Sequence, residues 1–192
     1  MPDHQHDPWS RIQSIHGFAA DELISTLQKS IRRGMVENAA ITAYEMYLSS
    51  APMEDQAWRR LETISVEDVG MGNPHAPLLI HALNDFRQRV PRDVGDRFLF
   101  LLHAVRVLAL SQKDRTSDEM VNWIRRVVDR GEAQPELFDD VFDMHTRRGQ
   151  QMGRGFEQWF NNGARVENEL PGRDTTYRQR LLDAIEQDRA EP

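Results

Sequence analysis

Apolar positions along the chain recur every three or four residues, the period of one helix face. Leu23, Ile24, Leu27 and Ile31 form a first stripe, with Asp21 ahead of it as the expected cap and Gly34 behind it as the expected stop. A second stripe, Ala39, Ala40, Ala43, Tyr44, Tyr47 and Leu48, ends near Pro52, and its small residues suit close approach by another helix. A third runs Trp58, Leu61 and Ile64. A fourth runs Leu79, Ala82, Leu83, Phe86 and Val90, closed by Pro91. Phe98 to Leu110 is the longest apolar run, broken by His103 and Arg106. A membrane span needs about 20 apolar residues, so this run predicts a central helix buried on most sides, with His103 buried beside an acid. Thr116 and Ser117 precede Asp118 and Glu119, a hydroxyl cap followed by acids that suit a helix N-terminus. The helix they open carries Met120, Val121, Ile124, Val127 and Val128 and ends at Gly131.

No stretch alternates apolar and polar residues between turn signals as a half-buried strand does. The expected fold is therefore all-α, a helical bundle over residues 19–143. The pattern changes after residue 143. His145 to Gly155 holds three glycines and three arginines, and a short piece with Phe156, Trp159 and Phe160 follows. A loop with Pro171-Gly172 comes next, then a last helix with Tyr177, Leu181, Leu182 and Ile185. Residues 144–192 are expected to form a C-terminal helical extension packing on the bundle or on a partner. Residues 1–18 are expected to be a flexible lead-in, with no apolar core for a signal peptide.

Composition removes several chemistries. The 192 residues contain no cysteine, which excludes disulfides, thiolate metal sites and cysteine catalysis, and fits a cytoplasmic protein. A net charge of −7 argues against non-specific coating of nucleic acid. The basic residues are almost all arginine, with Lys29 and Lys113 the only lysines. Genomic base composition accounts for such a bias. So does a use of planar guanidinium groups to hold anions or carboxylates at two points.

Three ordered segments carry a family resemblance. They are Leu27-Gln-Lys-Ser-Ile-Arg32, the Ala39-Ala40 to Tyr44 helix, and Arg59-Arg-Leu-Glu-Thr-Ile-Ser-Val-Glu-Asp-Val-Gly70 followed by Asn73-Pro74. This set resembles the C-terminal region of the MgsA/RarA group of AAA+ ATPases, replication-associated recombination proteins related to clamp loaders. The resemblance covers roughly residues 20–110. It gives Lys29, Ser30, Arg32, Arg59, Arg60, Glu67, Asp68 and Gly70 the standing of family-motif structural residues. It departs from the family at Asn73-Pro74, where the family has Asp-Pro, and at one residue inserted between Ser65 and the Glu67-Asp68 pair. In the family this region is a collar-like bundle that assembles the ATPase into oligomers. The resemblance thus implies assembly with copies of itself, with a separate ATPase or with a replication protein. ATP hydrolysis is not carried over. The family's phosphate loop lies N-terminal to the matching region, and neither lysine here follows a glycine.

Residue chemistry offers few alternatives. Glu67-Asp68 has the makings of an acid–base pair or a Mg²⁺ site, but reads more simply as a helix-ending turn paired with Arg59 or Arg60. His75, His81 and His103 lack the spacing of a zinc site. Tyr44, Tyr47 and Trp58 read as core before they read as a ligand pocket. Arg147, Arg148 and Arg154, among glycines and ahead of Trp159, are the candidates for an anion or nucleic-acid contact. The competing reading is a close crossing permitted by Gly149 and Gly153. The expectation is a non-catalytic assembly or adaptor module without cofactor, metal or membrane span. An anion- or nucleic-acid-binding module is the alternative. A small helical enzyme using Glu67, Asp68, His81 or His103 comes third.

Overall fold

The computed structural model describes residues 8–190, and the fold is all-helical. It divides into two compact units, Met1–Glu132 and Ala133–Pro192. The division falls upstream of the boundary expected after residue 143. Asp139, Phe142 and Asp143 make their contacts with residues that follow them, so they belong to the second unit.

The first unit contains α1 (Ala20–Arg32), α2 (Val36–Ser49), α3 (Ala51–Ile64), α4 (Ala76–Gln88), α5 (Asp96–Leu110) and α6 (Thr116–Asp129). Helix α1 packs on α2, α3 and α5, α2 on α3 and α5, and α4 on α3 and α5. The expected small-residue face of α2 is the one that allows this. Ala39 and Ala43 are fully buried, so neighbouring helices approach without a large side chain between them. Gly34 ends α1 at a φ of 70°, a backbone shape that costs glycine little. Ser50 caps α3 by accepting from the Met53 amide at 3.3 Å, and Pro52 sits in the first turn, where no amide donor is needed.

Three expectations need correction. The buried face of α4 is Ala76, Ile80, Leu83 and Arg87, and Leu79 and Phe86 are exposed. A buried arginine defines that face, and an apolar-stripe reading passes over it. Helix α5 is buried on one face only, through Leu101, Ala104, Val105, Leu108 and Ala109, while Leu99, His103 and Leu110 are exposed. Of the lead-in, residues 1–7 lie outside the described residues. The rest is tied down. Trp9 packs against the core, Gln13 bridges Ala19, and His16 Nδ1 lies 2.7 Å from Glu45 Oε2.

The second unit holds the short helices α7 (Arg147–Gln151) and α8 (Phe156–Gln158), a π-helical turn at Trp159–Gly163, and α9 (Thr176–Ala190). Among the described residues, no helix is long and apolar enough to cross a membrane.

Candidate functional site

Helix α3 runs into a π-helical turn, Ser65–Val69, that carries Glu67 and Asp68. Such widened turns push side chains out of the regular helical register. Here the turn delivers Asp68 into the protein, with no exposed surface. Its Oδ2 accepts from Gln28 Nε2 at 3.0 Å, and its Oδ1 accepts from Arg32 Nε at 2.5 Å and from Arg115 NH1. Arg32 NH2 also reaches Glu67 Oε1 at 3.1 Å, and Arg115 NH2 bonds Asp118 at 2.5 Å. Arg60 joins through Gln28 Oε1 at 3.3 Å.

Backbone contacts close the same junction. The Asp114 amide donates to the carbonyls of Asp68 and Val69, at 3.1 and 3.2 Å. Gly70 has a φ of 50°, and a Cβ there would collide with the Asp114 carbonyl oxygen. Lys113 Nζ donates to the carbonyls of Leu108, Ala109 and Ser111, satisfying the orphan acceptors at the end of α5. Burial lowers the Lys113 pKa, and the Asp68 charge opposes that shift.

Of the family-motif residues, the structure brings Arg32, Glu67, Asp68 and Gly70 together, with Arg60 behind Gln28. The other three point elsewhere. Lys29 Nζ donates to Ser25 Oγ at 2.7 Å, Ser30 accepts from Asn38 Nδ2 at 2.7 Å, and Arg59 bonds Gln56 at 2.9 Å. The acids therefore pair with Arg32 and Arg115 rather than with Arg59. No local pattern marks Gln28 or Arg115, because each meets Asp68 across 40 or more residues of sequence. Asp68 has no surface to offer a substrate and already carries three donors. Chemically the junction is a lock that fixes the start of α6 to α1 and α3.

A second buried carboxylate was also missed. Glu54 on α3 is 1% exposed and meets three arginines: Arg87 NH1 at 3.2 Å, Arg92 Nε at 3.2 Å and Arg97 Nε at 2.9 Å. Arg87 also bonds Asp55 at 2.7 Å. The available signal was helical spacing, since Glu54 shares a face with Ala57, Trp58 and Leu61. His75, His81 and His103 are all exposed, and among the described residues no three His, Asp or Glu side chains gather into a metal-binding group.

Helix α6 is the most unusual surface. None of its residues is buried. Met120, Val121, Trp123, Ile124 and Val128 lie along it with exposures between 41% and 58%. Its first turn is held by Asp114, whose Oδ1 accepts from the Thr116 amide at 3.0 Å and hydroxyl at 2.6 Å. The expected hydroxyl cap at Thr116 or Ser117 is therefore not used: the N-cap position falls on Arg115, whose side chain makes no cap bond, and Asp114, one residue upstream, holds Thr116 instead. Gly131, at a φ of 68°, ends the helix as expected, with its amide on Val128 and the Glu132 amide on Val127.

In the second unit, Arg154 is committed internally. Its NH2 makes two 2.7 Å bonds to the Asp139 carboxylate, and its NH1 donates to the carbonyls of Asp139 and Phe142. Arg148 lies 4.1 Å over the Phe142 ring. Arg147 is exposed. Gly149 is buried where a Cβ would collide with the Asp143 backbone, so its small size serves a helix-on-loop contact, while Gly153 makes a left-handed turn at a φ of 72°. Trp159 sits edge-on to His145 and beside Phe156 and Phe160. Trp159, Phe160, Tyr177, Arg178 and Leu181 line a cleft of about 320 Å³.

Compared with protein-family models and with curated protein sequences, the chain has no match.

Proposed function

We propose that this chain is a non-catalytic helical assembly or adaptor module, comparable to the oligomerisation region of MgsA/RarA-type ATPases. In this reading it acts in DNA replication, recombination or repair, with copies of itself, a separately encoded ATPase or a replication protein. The observation that carries the reading is the apolar face of α6, none of whose residues is buried within the first unit. Monomeric proteins seldom expose contiguous apolar surface of this kind unless something covers it. Covering five half-exposed side chains stabilises by about 4–7 kcal/mol on each copy. The Asp68 lock supports the same reading, because it presents α6 from a fixed base. Light scattering on the full chain at micromolar concentration, alone and mixed with a RarA-type ATPase, tests it. A chain that stays monomeric and binds no such partner would sink it.

A second reading, anion or nucleic-acid binding, draws support from the cleft in the second unit, where Arg178 lies 4.6 Å over the Phe160 ring beside Trp159 and Tyr177. Arg178 is outside the sequence candidates Arg147, Arg148 and Arg154, and it supplies a cation beside a stacking surface. Titration with single-stranded oligonucleotide at low salt tests it. Binding that survives Arg178→Ala and is lost on replacing Arg147 and Arg148 returns the contact to α7, and no binding ends the reading.

A further inference from the structure

The charges on α6 are divided between its two halves. Asp118, already paired with Arg115, and Glu119 lie in the first half, while Arg125 and Arg126 lie in the second half, which ends on Asp129 with Arg130 just beyond it and so keeps a net positive charge. Among the described residues, Glu119, Arg125 and Arg126 make no ion pair, and Arg130 reaches only Glu132, at 3.8 Å. Ser117, Met120, Ile124 and Val127 follow the three-and-four spacing of a two-helix seam, flanked by Val121, Trp123 and Val128. At the base of the helix, Val66, Met71, Pro74, Pro77 and Ser117 line an apolar groove of about 180 Å³. Val66 and Met71 are themselves exposed.

We propose that the occupant of this face is α6 of a second copy, packed antiparallel so that Met120 meets Ile124 and Ser117 meets Val127 across a two-fold axis near Asn122. This rests on the reading of α6 as a contact surface and specifies its partner. Three observations select the arrangement. The acidic half of each helix then lies beside the basic half of the other, whereas parallel pairing sets like charges together. The valine-rich end of each helix reaches the Ser117 end of the other, where the apolar groove lies open. Each α6 is clamped to its own bundle at its first turn, so antiparallel packing keeps the two bundles at opposite ends and parallel packing crowds them at one. A two-fold contact of this kind closes on itself and stops at a dimer.

The absence of cysteine makes the test clean. Copies carrying Ser117→Cys are mixed with copies carrying Val127→Cys and oxidised. The expected product is the mixed disulfide. Neither variant cross-links with itself, because like positions lie about 15 Å apart along the pair at 1.5 Å per residue, too far for a disulfide. Self-linked products in place of the mixed one mean a parallel pair and overturn the proposal. Light scattering on Ile124→Asp separates this failure from failure of the broader reading. The expected result is a monomer with unchanged helix content and a dissociation constant raised at least about tenfold by the desolvated charge. A variant that still dimerises places the contact elsewhere, and the proposal falls while assembly stands. A wild-type chain that is monomeric at all micromolar concentrations overturns the proposal and leaves only assembly with a different protein. Salt gives an independent reading. Antiparallel pairing weakens as salt screens the attraction, and parallel pairing strengthens.

Discussion

Arg115 donates to the buried Oδ1 of Asp68, and this contact ties the residue just ahead of α6 to the turn that ends α3. Asp68→Asn keeps the shape and removes the charge, leaving Arg32 and Arg115 on a neutral amide oxygen with Glu67 as their remaining shared carboxylate. Breaking a buried pair from one side costs about 3–5 kcal/mol. Urea unfolding should show that loss. Arg115→Ala, at the more exposed partner, should cost clearly less, and equal costs would contradict the account of Asp68 as the hub.

Glu54 sets a second cost. Glu54→Gln leaves Arg87, Arg92 and Arg97 facing a neutral group, with Asp55 the remaining carboxylate at Arg87. A loss of about 3 kcal/mol is expected, with the transition still cooperative. Arg87→Lys should not rescue as a conservative change, because one ammonium cannot span Glu54 and Asp55 as the guanidinium fork does. A thermal melt of Arg87→Lys matching wild type would refute this.

Gly70→Ala tests the backbone side of the junction. The substitution meets a φ of 50° and the Asp114 carbonyl at once. Left-handed backbone alone costs a non-glycine residue about 1–3 kcal/mol, and the collision adds to it. Faster amide exchange at Asp114 than in wild type is the expected signature, since that amide bonds the carbonyls of Asp68 and Val69.

Asp114 gives α6 a pH dependence. Hydrogen bonds from the Thr116 side chain, then from its backbone amide, hold the Asp114 carboxyl below its ordinary value of 3.8. Folding thus favours the ionised form. The contribution is present above pH 3.8 and is lost as pH falls through the lower folded value. The Thr116 amide shift should titrate with a midpoint below 3.8, and Asp114→Asn should abolish that titration. A midpoint above 3.8 would show that the cap does not favour the carboxylate.

The helices and most of their ends were legible in the sequence because one-sided burial writes itself as a three-and-four period. That period fails where a polar residue occupies the buried face. Arg87 and Glu54 each sit on such a face, and each is satisfied by a partner that no local pattern reveals. The same limit applies to Asp68. Its pairing with an arginine was anticipated, but the partners Arg32 and Arg115 are brought to it only by the bundle. His103 shows the opposite case, since an apolar run suggests burial all round while α5 uses one face and leaves His103 exposed. The amphipathic pattern of α6 is legible in Met120, Val121, Ile124 and Val128, yet periodicity says nothing about whether that face finds a neighbour within the first unit.

The Asp68 junction also orders events during synthesis. Arg32 and Asp68 leave the ribosome before Arg115, and the turn that holds α6 depends on α1 and α3 already being in place. The apolar helix is therefore among the last parts of the first unit to acquire a fixed position. A nascent chain therefore closes its bundle around α1 and α3 before the apolar side chains of α6 are held in a fixed position, which shortens the interval in which they are presented from an ordered surface on an unfinished chain.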